Sequence, residues 1–265
     1  MIAGLHYEEH GLANATPVIL SSGLGGSTAY WAANLEALAE HYRVILYDHR
    51  GTGRSDRKLP PHLTVEHMAA DVVELMNGLG IERAHLVGHA AGGVIGLSLA
   101  LSAPERLSSL VVVNGWSALD PHFARCFETR LALLRGSGVR AFLRAQPIFL
   151  FPAIWISEHS HELDREFEHQ NASFPGVEAV EARVAALQAF DIDERLDALV
   201  TPILAVAAKD DMLVPWSCSR TLVDRTPTAT LKLMEYGGHA CNVSEPARFN
   251  RIITAWLTAA ATKGA

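Results

Sequence analysis

The chain lacks any cluster of basic residues. Its 22 lysines and arginines are outnumbered by 29 aspartates and glutamates, which gives a formal net charge of −7 over 265 residues. Nucleic acids and anionic membranes recruit clustered lysine and arginine. We therefore expect neither as a partner, and the expected ligand is a small molecule.

Long apolar runs are also missing. No segment reaches the roughly 18 consecutive apolar residues that a bilayer-spanning helix needs. The first residues, Met1 to Glu9, lack the basic stretch followed by an apolar one that marks a secretion signal. These absences predict a cytoplasmic protein.

Cysteine is scarce. Cys126, Cys218 and Cys241 are odd in number and widely spaced, which favours reduced thiols over a disulfide framework. The 13 histidines are scattered along the chain and include no HExxH motif. The sequence therefore predicts neither a metal site nor a cofactor.

Short apolar runs alternate with segments of helical periodicity, which is typical of an α/β protein with a mostly parallel sheet. An opening stretch near Gly4–Glu9, with a turn at His10–Gly11, is expected to add an antiparallel edge hairpin. The predicted strands are Pro17–Ser22, Arg43–Asp48, Ala84–Gly88, Leu107–Asn114, Pro202–Ala208 and Thr230–Glu235. The predicted helices between and after them are Trp31–Glu40, Val65–Leu79, Ala91–Ser102, Ser217–Asp224 and Ala247–Ala261.

The pattern changes between about Trp116 and Leu196, where no β-like run occurs. Amphipathic helical windows such as Phe123–Arg135 and Val177–Phe190 dominate this segment. It predicts a helical cap over residues 116–196, inserted within a single domain of residues 1–265. Exposed apolar residues on such a cap would favour a homodimer.

Glycine-rich or acidic turns follow the predicted strands. Residues 86–93, here called the elbow, read Leu-Val-Gly-His-Ala-Ala-Gly-Gly at a strand-to-helix turn, where glycine permits close backbone approach. By itself this motif is weak, because small-residue turns are common. Three further loops strengthen it: residues 22–27 after the first long strand, residues 210–215 with an Asp-Asp pair, and residues 236–240 with Gly-His. Open α/β sheets place their sites at such strand ends.

These motifs, with the Asp-x-Arg-Gly-x-Gly-x-Ser turn at 48–55, resemble the α/β-hydrolase superfamily over essentially the whole chain. The resemblance implies that His239 is the catalytic base and Asp211 its acid partner. Asp210 is a competitor for the acid role, with loop capping as its alternative. The amides of Leu24 and Ala91 correspond to the oxyanion hole.

The nucleophile position departs from the superfamily, because Ala90 carries no hydroxyl and cannot form an acyl-enzyme. The residue could be an introduced change, a sign of lost catalysis, or part of a mechanism without a covalent step. The runs at 113–116, 146–152 and 236–243 also resemble the RutD family of bacterial pyrimidine utilisation. That family lacks the elbow serine too, so the resemblance implies a native alanine. It further implies hydrolysis of aminoacrylate or carbamate during uracil breakdown.

Water activated by His239 could then replace the serine. Cys241, Ser22 and Ser27 are weaker candidates for a nucleophile; a packing role is expected for the thiol and turn hydrogen bonds for the hydroxyls. Asn114 and Trp116 could line the substrate pocket or support the fold. A non-catalytic binding protein and a carboxylesterase with a Ser-to-Ala change remain alternatives.

Overall fold

A computed structural model describes residues 1–263 and contains one seven-stranded sheet. The strands are β1 (Tyr7–Gly11), β2 (Pro17–Ser21), β3 (Arg43–Tyr47), β4 (Ala84–His89), β5 (Leu107–Val113), β6 (Ile203–Ala208) and β7 (Ala229–Met234). Their order across the sheet is β1-β3-β2-β4-β5-β6-β7. In this order, each pair of neighbouring strands from β3 to β7, β2 included, is parallel. Strand β1 pairs antiparallel with β3.

The six predicted strands are present, with ends shifted by at most one residue. Every residue of β4 and β6 is buried, which explains why β6 is a continuous apolar run and why β4 does not alternate, being apolar apart from His85 and His89.

The predicted antiparallel edge strand is present as β1, but the predicted turn at His10–Gly11 is wrong. His10 and Gly11 continue β1, and the chain turns before this strand, at Ala3 and Gly4 with positive φ, and after it, where the amide of Ala15 donates to the carbonyl of Leu12 at 3.0 Å. A side chain at position 11 would place its Cβ 2.3 Å from the carbonyl oxygen of Tyr42. Glycine is therefore required at position 11, because the backbone at Tyr42 approaches it closely. The partner of β1 is β3, which is distant along the chain.

Helices cover both faces of the sheet. They are α1 (Ala32–Ala39), α2 (Val65–Gly78), α3 (Ala91–Ser102), α8 (Trp216–Arg225), α9 (Cys241–Ser244) and α10 (Pro246–Lys263), joined by short 3₁₀ segments at Thr28–Trp31, Pro104–Arg106 and Asp193–Ala198. Apolar residues of α2, α3 and α8 form one buried cluster, and those of α1 and α10 form a second cluster on the opposite face. Within residues 1–263, every helix falls short of the length and apolar character needed to cross a membrane.

Four helices occupy the segment between β5 and β6, and we call them the cap. They are α4 (Pro121–Leu150), α5 (Ala153–Glu158), α6 (Ser160–Ala172) and α7 (Val177–Gln188). Gly138 interrupts α4 with φ 83° and ψ 179°, so the long helix is two helices joined at a kink. The end of α4 contacts the loop that follows β7, because Ala240 donates from its amide to the carbonyl of Leu150 at 2.9 Å.

Candidate active site

Ala90 occupies a sharp turn between β4 and α3. Its φ of 47° and ψ of −108° lie outside the regions that alanine normally adopts. Its amide donates to the carbonyl of Val113 at 2.8 Å, which ties the turn to β5. A Cβ on Gly92 would lie 2.0 Å from the carbonyl oxygen of Ser21. Glycine at this position therefore lets α3 start directly against β2, and the elbow keeps its strained form without a serine.

His239 and Asp211 form a buried pair. Nδ1 of His239 lies 2.8 Å from Oδ2 of Asp211, and their side chains are 2% and 0% exposed. The other carboxylate oxygen of Asp211 accepts from the amides of Leu213 and Val214 at 2.8 and 2.9 Å. An ionised carboxylate only accepts, so Nδ1 carries the proton and Nε2 keeps a lone pair. A role for His239 as the catalytic base stays a prediction.

Asp210, the competing carboxylate, contacts a different part of the same loop. It accepts from the amides of Gly237 and Gly238 at 3.2 and 2.9 Å. Both glycines have positive φ, 138° and 65°, which favours glycine over other residues. Asp210 therefore holds the backbone that leads into His239, while Asp211 holds the ring itself.

The side-chain amide of Asn114 forms hydrogen bonds to backbone groups. Its Nδ2 donates to the carbonyls of His239 and Gly238 at 2.7 and 3.2 Å, and its Oδ1 accepts from the amide of Ala208 at 3.0 Å. The side chain thus links the histidine loop to β6. Trp116 is 1% exposed, packs on Phe123, and has an indole N–H with no acceptor within residues 1–263. A pocket role for either residue stays a prediction.

His89, which precedes Ala90, packs directly against His239. Its Nε2 donates to the carbonyl of His239 at 2.9 Å, and the two ring centroids lie 4.8 Å apart. Tyr30 stacks on its other side at 4.7 Å. Burial, and next the nearby His239, hold the pKa of His89 well below its ordinary value. A neutral ring at His89 can carry the Nε2 proton that supports the backbone of His239.

The predicted oxyanion amides lie at two chain positions beside the elbow. Ala91 begins α3 immediately after Ala90, and Leu24 follows Gly23 in the loop after β2. A Cβ on Gly23 would lie 2.9 Å from Nδ1 of His89 and 3.8 Å from Cβ of Ala90, so this loop packs against the elbow. Neither amide donates to a protein acceptor in the described part of the chain. Their use for an oxyanion stays a prediction.

The weaker nucleophile candidates differ in their surroundings. Burial raises the pKa of the Cys241 thiol to about 12, with the Asp211 charge as a further cause, so its thiolate is scarce at neutral pH. Ser27 accepts from the amide of Ala29 at 3.2 Å, as expected for a turn. The hydroxyl of Ser22 is buried without a partner within residues 1–263, which corrects the expectation that it bonds to its own turn.

Arg183 of α7 and His49 also reach this region, and the sequence analysis missed both. Nε of Arg183 donates to the carbonyl of Leu24 at 3.1 Å, and its Nη2 donates to Nδ1 of His49 at 2.8 Å. Arg183 lies on the apolar stripe of α7, between Val180 and Leu187. A charged residue on a buried helical stripe is the signal that could have found it.

The comparisons with known proteins agree with this geometry. A family model described as "alpha/beta hydrolase fold" matches residues 16–246. A protein of Caulobacter vibrioides named "Putative carbamate hydrolase RutD" is 52% identical over 261 residues, which cover 98% of this chain and 97% of that protein. A protein of the same name from Variovorax paradoxus is 51% identical, with 98% of each chain covered.

Solved structures give the same fold. The enol-lactonase from Burkholderia xenovorans superposes with a TM-score of 0.87 at 25% identity, and the match covers 97% of this chain and 98% of that one. The family match, the full-length relatives and the elbow, acid and histidine loops show that this chain belongs to the alpha/beta hydrolase fold family and is similar to RutD proteins over nearly its whole length.

Proposed function

We propose that the chain is a hydrolase that assists the breakdown of a small carbon–nitrogen substrate, carbamate or aminoacrylate, in uracil degradation. The observation that carries this proposal is the buried pair of His239 and Asp211 beside an elbow that has Ala90 at the position of the superfamily's serine. The name of the full-length relatives supports the substrate class.

Water takes the place of the serine hydroxyl in this proposal. The short side chain of Ala90 leaves room for a water molecule that Nε2 of His239 can deprotonate. The ring is prepared for this step, because Asp211 fixes its tautomer and stabilises the imidazolium that forms. General acid–base help of this kind is typically worth about 10²–10⁴-fold in rate.

For aminoacrylate the reacting form is its imine tautomer. Water adds to the imine carbon, its proton passes through His239 to the nitrogen, and a carbinolamine results. The hydroxyl of the carbinolamine then gives up its proton and forms the aldehyde C=O bond as the C–N bond breaks; His239 delivers a proton to the nitrogen, which leaves with the C–N electron pair as ammonia, and malonic semialdehyde remains. His239 serves first as base and then as acid.

For carbamate the chemistry is simpler. Protonated His239 delivers a proton to the nitrogen, and the C–N bond breaks with its electron pair on nitrogen. Ammonia and carbon dioxide leave together. The amides of Leu24 and Ala91 would hold one oxygen of the carboxylate during this step, which leaves the other oxygen for a further donor.

A binding protein without catalysis is the second candidate, and Ala90 is the observation that favours it. Such a protein has no need for a buried pair of His239 and Asp211. The two candidates differ in one measurement, the rate of ammonia release from carbamate and from aminoacrylate generated in situ, with and without the protein. Acceleration above an equal concentration of heat-denatured protein supports the hydrolase, and equal rates would refute it.

A further inference from the structure

Arg183 is enclosed between the cap and the core. It is 1% exposed, and its two protein acceptors are the carbonyl of Leu24 and Nδ1 of His49, at 3.1 and 2.8 Å. His49 is itself buried and donates from Nε2 to the hydroxyl of Ser21 at 3.1 Å. Both N–H groups on Nη1 of Arg183 lack an acceptor within residues 1–263. The guanidinium therefore has donors left for a ligand.

The charge of Arg183 has no anionic partner. No carboxylate of the described chain lies within ion-pair distance of it. Burial lowers the pKa of the guanidinium to about 10, so the group remains charged at neutral pH. Burying a cation beside neutral acceptors alone is costly, and buried charges are ordinarily paired.

Arg130 in α4 provides a useful contrast. It is also buried without a carboxylate, and its Nε has no acceptor within residues 1–263. Its guanidinium carbon, however, lies 5.3 to 5.8 Å from the ring centroids of Phe127, Phe142 and Phe149. Cation–π contacts of this kind stabilise a buried charge. Arg130 also donates from Nη2 to Oε1 of Gln146. No aromatic ring of this kind lies over Arg183 within the described residues, so aromatic contacts compensate the charge of Arg130 and not that of Arg183.

The position of Arg183 relates it to the catalytic loops. Its Nε contacts the carbonyl oxygen of Leu24, and the amide nitrogen of the same residue is within about 4 Å of that oxygen by covalent geometry. The guanidinium is therefore on the order of 7 Å or less from the amide expected to face the substrate. At such a distance, away from bulk water, an opposite charge interacts strongly with it.

We propose that Arg183 is the receptor for the carboxylate or carbamate group of a small monoanionic substrate. The inference rests on the proposed function, because carbamate and aminoacrylate both carry one such group. Binding of an anionic ligand would also explain why a cation is buried at this position, in a chain whose formal net charge is −7. Arg183 thereby acts as a binding residue, and the proton transfers remain with His239.

The test uses propionate and propionamide, which have similar size and differ in charge. Binding to the full-length protein is followed by ligand-observed NMR, so no turnover is needed. We expect the protein to bind propionate and not propionamide over the same concentration range. Arg183→Gln should weaken propionate binding at least about tenfold, and Arg183→Lys should retain part of it, because lysine keeps the charge and loses the planar fork. Arg130→Met is the matched control, with propionate binding as in the unaltered protein.

Several results would overturn the proposal: equal binding of the two probes, unchanged propionate binding in Arg183→Gln, or a loss confined to Arg130→Met. Circular dichroism verifies folding, and if Arg183→Gln does not fold, Arg183→Met and Arg183→Lys supply the comparison of charge. Binding that depends on Arg183 without acceleration of carbamate or aminoacrylate breakdown would refute the hydrolase and leave the receptor. Acceleration of carbamate or aminoacrylate breakdown without Arg183-dependent binding would support the hydrolase and refute the receptor.

Discussion

His239 and Asp211 are joined by a 2.8 Å hydrogen bond between Nδ1 and Oδ2, in a position where neither side chain is more than 2% exposed. Asp210, the preceding residue, accepts instead from the backbone amides of Gly237 and Gly238, which lead to His239. Two adjacent carboxylates thus have separate tasks, one on the ring and one on the loop. Substitutions at these positions distinguish the tasks.

His239→Ala should abolish the acceleration of substrate breakdown, because it removes the only group proposed to relay protons. Asp211→Asn should come close to the same result, since an amide can preserve shape while favouring the wrong tautomer. We expect losses of about 10²–10⁴-fold, the range of general acid–base catalysis. Ammonia release from one substrate measures all variants, after circular dichroism shows that each is folded.

Asp210→Asn serves as the matched control for Asp211→Asn. Its carboxamide can still accept from one of the two glycine amides, so we expect a smaller loss of rate together with a lower unfolding temperature. A fully active His239→Ala protein, or an Asp210→Asn protein that loses more activity than Asp211→Asn, would contradict the assignment.

Ala90→Ser should yield measurable hydrolysis of an activated aryl ester such as p-nitrophenyl acetate. The added hydroxyl would occupy the strained elbow, with its φ of 47°, beside the base and the predicted oxyanion amides. A burst or steady release of p-nitrophenol is the readout. The double variant Ala90→Ser/His239→Ala is the control and should lose that activity. A folded Ala90→Ser protein without turnover would argue against the oxyanion geometry or against His239.

Gly92→Ala should destabilise the fold. The new methyl group would lie 2.0 Å from the carbonyl oxygen of Ser21, so α3 and β2 must separate. We expect a loss of at least about 3 kcal/mol, the upper range for overpacking. Gly136→Ala is the control, since it is exposed within α4 and a Cβ there meets nothing within 4 Å; it should stabilise by about 0.5 to 1 kcal/mol. Urea denaturation measures both, and similar stabilities would refute the argument.

Acid should destabilise the protein through buried neutral histidines. Burial, and next Arg83, lower the pKa of His85 from 6.5 to about 4. The unfolded chain binds this proton between those values and the folded chain does not, so stability falls as pH drops from 6.5 toward 4. At pH 5 the loss from this residue is about 2 kcal/mol relative to pH 7. His49 and His89 shift in the same direction.

Urea denaturation at pH 7 and pH 5 measures this effect. His85→Gln should reduce the difference in unfolding free energy between the two pH values by about 2 kcal/mol, the loss that we assign to His85. His41→Gln, whose side chain is 59% exposed, should leave the difference as in the unaltered protein. An unchanged difference in His85→Gln would show that the residue does not contribute.

A homodimer is expected in solution. Ile148 and Ile154 of the cap are 53% and 67% exposed, and paired copies would remove such apolar surface from water. Light scattering at micromolar concentration should give twice the 28.7 kDa monomer mass. A mass near 28.7 kDa would refute this prediction, and Ile154→Lys should shift the equilibrium toward the monomer if it holds.

The sequence by itself determined the alternation of strands and helices, because a run such as β6 is buried on both faces and therefore apolar throughout. It also predicted Ala90 between a strand and a helix, since the flanking glycines permit close backbone approach there. The order of the elbow, acid and histidine loops could likewise be seen without a structure.

Only the tertiary structure decided what each polar atom contacts. Asp210 and Asp211 are identical neighbours in one turn; the family resemblance favoured Asp211 for contact with the histidine, and the position of the histidine loop shows which carboxylate contacts the ring and which contacts the backbone. The partner of β1 depended in the same way on a distant strand. The sequence could not show that Arg183 lies apart from every described carboxylate, because the partners of a buried charge depend on how distant segments pack together.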